Sequence, residues 1–216
     1  MPEVTLNDNF GSSISQIIKN FNCYKVLEIG SWDGTGSTRC IINGMLQFDQ
    51  KSLTCLEIEE TKFADLIFNV SHLPWVKCHN ESSICYESLV YKNFDEIWNS
   101  PFNGLPRQWN PKEIVQGWFD RDVAAMKKIK IGFLEKDTNR YDAALIDGGE
   151  FTGYSEFSLL KDKVNFFFLD DAFHAFKTRQ VFFELYQDPS WECLCYDENT
   201  RNGFAIFKRK NLLCTT

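Results

Sequence analysis

The sequence lacks the features that would place it in a membrane or in a secretory compartment. No run approaches the ~20 apolar residues of a membrane helix, and the first residues lack the basic-then-apolar order of a signal peptide. The eight cysteines include no C-x-x-C pair. We therefore predict a cytoplasmic protein without a membrane span, with reduced thiols in its core and with sequons at Asn69 and Asn80 that are not glycosylated.

An excess of basic residues is also missing. The chain has 30 Asp and Glu against 23 Lys and Arg, which gives a formal net charge of -7. A broad basic surface for nucleic acid is therefore not expected, although a local basic patch is compatible with this balance. We predict no nucleic-acid partner.

The 216 residues, 44% of them hydrophobic, suffice for one well-packed domain. Short apolar runs alternate with helical stretches, which predicts an α/β fold with a mainly parallel sheet. We expect a single domain over 1–216, with an N-terminal helical segment over 1–20. The predicted strands are 24–29, 52–58, 75–79, 141–146 and 164–169, then an antiparallel pair at 191–196 and 203–208. The main predicted helices begin at Ser12 or Ser13 and then cover 39–45, 61–70, 119–130 and 174–186.

A less regular segment over about 84–138 is rich in aromatic residues, among them Trp98, Trp109 and Trp118. It is predicted to be a helical or irregular insertion that covers the C-terminal edge of the sheet. Its aromatic side chains are compatible with a plain core or with a pocket lining, and the sequence leaves both open.

The first predicted strand ends in a glycine-rich turn. Gly30, Gly34 and Gly36 follow the strand in the spacing G-x-x-x-G-x-G, which differs from the G-x-G-x-x-G of dinucleotide-binding proteins. Glu28 precedes the turn by two residues, and a carboxylate there suits a ligand with an ammonium group better than a pyrophosphate.

This segment resembles motif I of the class I S-adenosylmethionine (SAM) dependent methyltransferases, in its E-x-G-x-x-x-G form. The resemblance implies a Rossmann-like sandwich with a mainly parallel seven-stranded sheet, a final antiparallel strand and helices on both faces. It also implies that the turn wraps the methionine part of SAM, that Glu57 binds the ribose, and that residues after the third strand contact the adenine. The implied cofactor residues are Glu28, Gly30, Ser31, Trp32, Asp33, Gly34, Ser37, Glu57, Ile58, Glu81, Ser82 and Asp147.

Three acids are predicted to meet at the C-terminal edge of the sheet. Asp147 ends the fourth strand, and Asp170 and Asp171 end the fifth. Such a cluster repels itself unless a cation neutralises it, and an oxygen-only site suits Mg²⁺, Mn²⁺ or Ca²⁺. A metal-free acid pair with a raised pKa, or aspartates that cap the following helices, are the alternatives.

The catalytic half resembles the metal-dependent sugar and small-molecule O-methyltransferases, which include the macrocin and catechol O-methyltransferases. By that resemblance Asp147, Asp170 and Asp171 hold Mg²⁺ or Mn²⁺. Glu150 stands where the family commonly has a His or Lys as general base. His174 and Lys177 follow about one helical turn after the acidic pair and are further catalytic candidates, with a plain helix surface as the alternative. The Arg201-Asn202-Gly203 segment is predicted to be a hairpin turn rather than a substrate loop.

The leading prediction is a SAM-dependent O-methyltransferase that acts on a hydroxyl of a sugar or glycan, assisted by a divalent metal. A catechol-like acceptor and a non-catalytic methyltransferase-fold binding protein are the alternatives, and an NAD-dependent oxidoreductase is disfavoured by the glycine spacing and by Glu28. A homodimer, or a place within a larger multi-enzyme chain, is compatible with the sequence.

Overall fold

The computed structural model of the protein describes residues 4–103 and 110–213. Trp109, one of the three insertion tryptophans, lies outside the described residues. Seven strands form one sheet: β1 (Lys25–Ile29), β2 (Ser52–Leu56), β3 (Val76–His79), β4 (Tyr141–Ile146), β5 (Val164–Asp170), β6 (Trp191–Asp197) and β7 (Phe204–Arg209).

The order of the strands across the sheet is β3-β2-β1-β4-β5-β7-β6. Neighbouring strands from β3 to β5 pair in parallel, whereas β7 is antiparallel to both β5 and β6. This topology confirms the predicted fold class, a mainly parallel seven-stranded sheet with a final antiparallel strand. The strand order switches sides at β1: β2 and β3 are added on one side of it, and β4 and β5 on the other. Ligands of such sheets bind at the carboxyl ends of the strands near this switch point.

Helices cover both faces of the sheet. They are α1 (Asn9–Asn20), α2 (Ser37–Met45), α3 (Glu60–Val70), α4 (Phe94–Trp98), α5 (Lys112–Met126), α6 (Phe133–Lys136), α7 (Gly153–Leu160) and α8 (Arg179–Gln187). Short 3₁₀ turns lie at Tyr86–Ser88 and Pro101–Asn103. No helix among the described residues is long and apolar enough to cross a membrane.

Three helix starts differ clearly from the sequence prediction. Helix α5 covers Lys112–Met126 instead of 119–130. Helix α1 begins before Ser12, because the Asp8 side chain accepts a hydrogen bond from the Gly11 amide (2.8 Å) and caps the helix. Helix α8 begins at Arg179 instead of 174. Residues 171–178 form a loop, since the amides of Ala172 and Phe173 bond to the carbonyls of residues 203 and 202 instead of continuing a helix.

The sheet separates two hydrophobic cores, and β5, next to the central strand β4, is buried along its whole length. Side chains of a strand alternate between the two faces, so Phe166 and Phe168 pack with α1 and α2. Phe167 and Leu169 pack on the opposite face with α7 and α8. The seven described cysteines are free thiols, and three of them are fully buried in the core beneath α1 and α2.

Gly30 lies where β1 and β4 end side by side. Its backbone has a φ of 85°, and a Cβ at this position would lie 2.1 Å from the Asp147 carbonyl oxygen. The amides of Gly30 and Ser31 both donate to the Leu56 carbonyl, each at 3.0 Å. A glycine is therefore required for the turn to connect the ends of β1, β2 and β4.

We predict that Gly30→Ala destabilises the protein by on the order of 3 kcal/mol, because it adds both backbone strain and a clash with main-chain atoms. The matched control is Gly117→Ala. Gly117 is exposed within α5 and nothing lies near its Cβ position, so this change should raise the free energy of unfolding by about 0.5–1 kcal/mol. Urea unfolding of both variants measures the two effects. Equal stabilities for the two variants would contradict the packing described for Gly30.

Candidate functional site

A cavity of about 700 Å³ opens at the C-terminal edge of the sheet. Its walls come from the ends of β1, β2, β4 and β5, from the segment after β3, and from α5. Asp122, Ala125, Met126 and Ile129 contribute the α5 side of the wall. The segment predicted as a covering insertion thus lies over part of the cavity.

The glycine turn forms one wall of this cavity. The predicted cofactor residues Gly30, Ser31, Trp32, Asp33 and Ser37 all line it. The Asp33 carboxylate is fixed by hydrogen bonds from Thr35, at 2.9 Å from the amide and 2.6 Å from the hydroxyl. Gly34 does not line the cavity. Its φ is 76°, and a Cβ there would lie 2.7 Å from Leu66 Cδ1, so it serves the packing of the turn on α3.

Glu28 is fully buried under the turn and does not line the cavity. Its carboxylate accepts hydrogen bonds from the hydroxyls of Ser31 (2.8 Å), Ser37 (2.7 Å) and Thr38 (2.7 Å). Burial raises the pKa of Glu28, and the hydroxyl donors oppose this rise. The structure thus places Glu28 as a residue that holds the turn and the start of α2 in position. Direct contact with a cofactor stays a prediction for this residue.

Glu57 lines the cavity where β2 ends. Its two carboxylate oxygens accept the amides of Trp32 and Glu59, each at 2.8 Å, and this leaves further lone pairs for ligand hydroxyls. Ile58 follows it in the wall and is largely exposed. The predicted ribose site therefore has its acid in place, and its contact with a ribose stays a prediction.

The predicted adenine residues, Glu81 and Ser82, also line the cavity. Glu81 forms ion pairs with His79 (3.3 Å) and with Lys136. The Ser82 hydroxyl donates to the Ile84 carbonyl at 2.7 Å. His79, the last residue of β3, thus orients a cavity acid.

Acidic side chains far outnumber basic ones in the cavity wall. Among the described residues, eight acids and one basic residue, Lys177, line it. The acids are Asp33, Glu57, Glu59, Glu81, Asp122, Asp147, Glu156 and Asp170. Such a wall attracts a cationic ligand and repels a pyrophosphate.

The three predicted metal ligands do meet, but each of them contacts a basic side chain. The ammonium of Lys177 lies 2.7 Å from Asp147 Oδ1 and 2.7 Å from Asp171 Oδ2. Arg201 Nη2 lies 2.7 Å from Asp170 Oδ1, and Asn202 donates to Asp171 Oδ1 at 3.0 Å. Residues 201–203, predicted to be a hairpin turn, thus also contribute to this cluster.

These residues, as arranged, do not fit a divalent cation. A Mg²⁺, Mn²⁺ or Ca²⁺ ion lies about 2.0–2.6 Å from its ligand oxygens. Between Asp147 and Asp171 that position is taken by the Lys177 ammonium. In the described part of the chain, no group of three or more His, Cys, Asp or Glu is arranged to hold a metal ion.

Burial and the cations shift the pKa values of this cluster in different directions. Burial raises the pKa of Asp147 to about 7, against the pull of the Lys177 ammonium. Burial also raises the pKa of Asp170, where the neighbouring Asp171 carboxylate adds to the rise. Burial alone would raise the pKa of Asp171 and lower that of Lys177, but their mutual attraction reverses both shifts. Lys177 therefore stays protonated in the folded protein.

Glu150 and His174 form a second pair beside this cluster. His174 Nδ1 lies 2.9 Å from Glu150 Oε1, and neither residue lines the cavity. His174 and Lys177 lie in the loop before α8, so the expectation that they follow the acidic pair along a helix is wrong. Burial would lower the pKa of His174, but the Glu150 carboxylate outweighs it and the pKa is raised.

The two described insertion tryptophans, Trp98 and Trp118, pack against the core and do not line the cavity. Trp98 stacks on Phe176, with ring centroids 6.0 Å apart. Of the two interpretations left open by the sequence, core packing applies to both residues. The aromatic side chain in the cavity wall is Trp32, which is 55% exposed.

Glu156 is a cavity residue that the sequence analysis missed. It is fully buried on α7, and its Oε1 accepts a hydrogen bond from the Ser83 hydroxyl (2.5 Å). Its Oε2 has no hydrogen-bond partner among the described residues. A Cβ on Gly148 would lie 2.8 Å from Glu156 Oε1, which explains the glycine there. The signal available in the sequence was a charged residue on the apolar face of a helix.

We predict that the Glu150–His174 pair makes stability depend on pH. Since folding raises the pKa of His174 above its ordinary value of 6.5, the pair stabilises the protein below about pH 6.5. That stabilisation is lost as the pH rises through the folded-state pKa. His174→Gln should therefore cost about 1 kcal/mol of unfolding free energy at pH 5.5 and much less at pH 9. Urea unfolding at both pH values measures this difference.

The control for this prediction is His72→Gln, since His72 is exposed on the surface. It should change stability by less than about 0.5 kcal/mol at either pH. A cost for His174→Gln that is the same at both pH values would show that the pair carries no charge interaction.

Comparison with known proteins rests on structure, since no protein-family model matches the sequence and no curated protein sequence matches it. The O-methyltransferase TomG from Streptomyces achromogenes, solved with SAM, aligns at a TM-score of 0.59 with 12% identity, over 98% of this chain and 84% of that one. An O-methyltransferase from Bacillus cereus, solved with SAH, aligns at 0.58 with 12% identity, over 97% and 84%. A methyltransferase from Geobacter sulfurreducens aligns at 0.57 with 9% identity, over 96% and 80%. These likenesses show that the chain has the Rossmann-like methyltransferase fold.

Proposed function

We propose that the protein is a SAM-dependent O-methyltransferase that acts on a hydroxyl of a sugar or glycan. The observation that carries this proposal is the acidic cavity beside the glycine turn at the C-terminal edge of the sheet. The glycine turn lines this cavity beside acids that suit a cationic ligand. The O-methyltransferase TomG, solved with SAM, and the Bacillus cereus O-methyltransferase, solved with SAH, support the same chemistry.

Charge is the reason to prefer SAM over a dinucleotide in this cavity. SAM carries a sulfonium and an ammonium group, whereas NAD carries a negatively charged pyrophosphate. The only basic side chain that the described residues contribute to the wall, Lys177, is already paired with two carboxylates. A pyrophosphate would thus face carboxylates without a free counter-charge, which disfavours an oxidoreductase.

Each part of the chain has a distinct task in this proposal. When bound, SAM supplies a methyl group on a sulfonium for in-line attack by an acceptor oxygen. Asp33 and Glu57 hold the cofactor from the two sides of the turn. Glu150 adjoins the wall residue Gly149, and we assign to it, paired with His174, the proton that leaves an acceptor hydroxyl at this end of the cavity. No step is assigned to a divalent metal, because Lys177 lies where such an ion would bind.

A sugar or glycan acceptor fits the hydrogen-bond acceptors in the cavity wall. Carboxylates accept hydrogen bonds from hydroxyl groups, and Glu59 and Asp122 lie in the wall with the exposed indole of Trp32. An aromatic ring beside hydrogen-bond acceptors suits a sugar ring with several hydroxyls. A catechol-like acceptor is the second candidate, favoured by the apolar Ala125, Met126 and Ile129 on the α5 side.

We predict micromolar binding of SAH and SAM, and no binding of NAD, in calorimetric titrations with chelator present. SAM should bind more tightly than SAH, because only SAM carries the sulfonium charge that the acids attract. Glu57→Ala should weaken the binding of SAH by about tenfold or more, as expected for the loss of a carboxylate that accepts ligand hydrogen bonds. Glu60→Ala is the control, since Glu60 is exposed and does not line the cavity. Absence of SAH and SAM binding to the folded wild type would refute the proposed function.

We predict that Glu150→Gln lowers methyl transfer by roughly 10²–10⁴-fold while the affinity for SAH stays unchanged. The readout is SAH release with a panel of glycans and catechols as acceptors, and the active class identifies the acceptor. Full turnover by Glu150→Gln would show that another group accepts the proton. A folded wild type that binds SAH and turns over no member of either panel would favour a non-catalytic binding protein.

A further inference from the structure

We propose that Lys177 is a built-in cation that takes the place of a divalent metal in this cavity. The carboxylates of Asp147 and Asp171, which contact it, and that of Asp170 beside them are then part of a site that works without a metal ion. The chemical role given to Lys177 rests on the proposed function, whereas its occupation of the cation position rests on the contacts among the chain's own residues.

The first argument is position. Lys177 Nζ lies 2.7 Å from an oxygen of Asp147 and 2.7 Å from an oxygen of Asp171, which come from the ends of two neighbouring strands. A metal ion bridging the same two oxygens would have to lie in the same place, because metal–oxygen distances are about 2.0–2.6 Å. An ion and the ammonium group cannot both be there.

The second argument is that the backbone of Lys177 is held on both sides. The hydroxyl of the next residue, Thr178, donates to the Asp170 carbonyl at 2.6 Å. On the other side α7 begins against this segment, and a Cβ on Gly153 would lie 2.6 Å from the Lys177 carbonyl oxygen. The Lys177 side chain is 15% exposed. The ammonium is therefore anchored at the aspartates by packing as well as by charge.

The third argument is charge. Arg201 pairs with the remaining carboxylate, Asp170, at 2.7 Å. With Lys177 and Arg201 in place, the three aspartates keep at most one net negative charge, the same balance that a divalent cation would give. The repulsion that would otherwise favour metal binding is thus already relieved.

Lys177 also has a donor left for chemistry. An ammonium group has three N–H donors, and two of them face Asp147 and Asp171. Since Lys177 lines the cavity, the third N–H can bond the oxygen of an acceptor hydroxyl. In the proposed reaction it stabilises the negative charge that develops on this oxygen as the proton leaves, which is the task of a metal ion in metal-dependent enzymes.

The test is a titration of the chelator-treated wild-type protein with Mn²⁺, in which electron paramagnetic resonance measures the free ion. We expect no site tighter than ~1 mM in the wild type, because the ammonium fills the position. Lys177→Ala should open the three-carboxylate pocket and bind Mn²⁺ on the order of tenfold more tightly or better. Adding Asp147→Asn to that variant should remove the new site.

Two control variants separate this effect from a general loss of positive charge. Lys177→Arg keeps a cation among the aspartates and should not bind Mn²⁺. Lys161 also bridges two carboxylates, Glu184 at 2.8 Å and Asp188 at 3.5 Å, far along α7 from the cavity. Lys161→Ala should therefore bind Mn²⁺ no better than the wild type.

Micromolar binding of Mn²⁺ to the wild type, abolished by Asp171→Asn, would overturn the proposal. This measurement needs no Lys177 variant, so it decides the question even if Lys177→Ala does not fold. Calorimetry of the same chelator-treated sample with SAH tests the proposed function separately. If the wild type binds both SAH and micromolar Mn²⁺, only the proposal for Lys177 is refuted. If it binds neither, only the methyltransferase proposal is refuted.

Discussion

Repulsion among carboxylates at the C-terminal edge of the sheet is the constraint on which the site depends. Asp147 ends β4, and Asp170 and Asp171 follow from β5, so parallel pairing of these strands brings the three acids together. The chain neutralises them with Lys177 from the loop before α8 and Arg201 from the turn before β7. Segments far apart in the sequence thus have to meet at this edge for the folded state to tolerate the acids.

The other buried acids are satisfied in different ways, and the differences separate structural from ligand-facing roles. Glu28 has three hydroxyl donors and lies away from the cavity, so its hydrogen bonds are complete within the protein. Glu57 accepts two backbone amides and keeps lone pairs towards the cavity. Glu156 has one donor and one unpaired oxygen. Since a buried unsatisfied polar group is costly, Glu156 is the carboxylate that a donor from a bound ligand would complete.

The sequence was sufficient for the features that depend on local patterns. Strand β4 was predicted with its observed bounds, and the other strands within two residues, because apolar runs between turn residues signal a strand regardless of its neighbours. The glycine turn was identifiable for a similar reason, because glycines directly after an apolar strand indicate a sharp turn. Gly30 does adopt a positive φ there. The position of the cavity was predictable because the candidate residues follow the C-terminal ends of the predicted parallel strands.

The partners of the acids could not be predicted, because they depend on contacts between distant segments. Lys177 was expected on a helix, whereas the amides of Ala172 and Phe173 bond to the turn before β7 and keep this segment a loop. Arg201, which neutralises Asp170, lies 31 residues further along the chain. A sequence pattern shows that three acids converge, but only the fold shows whether an ion or a side chain neutralises them.

The same contacts couple the site to the last part of the fold. Strand β7 inserts between β5 and β6, so the turn that carries Arg201 and Asn202 reaches Asp170 and Asp171 only when this antiparallel pair has formed. Pairing of β7 with β5 thus brings the Arg201 guanidinium to Asp170, where its charge opposes the rise in pKa that burial causes. The antiparallel end of the sheet is thus part of the functional site as well as of its scaffold.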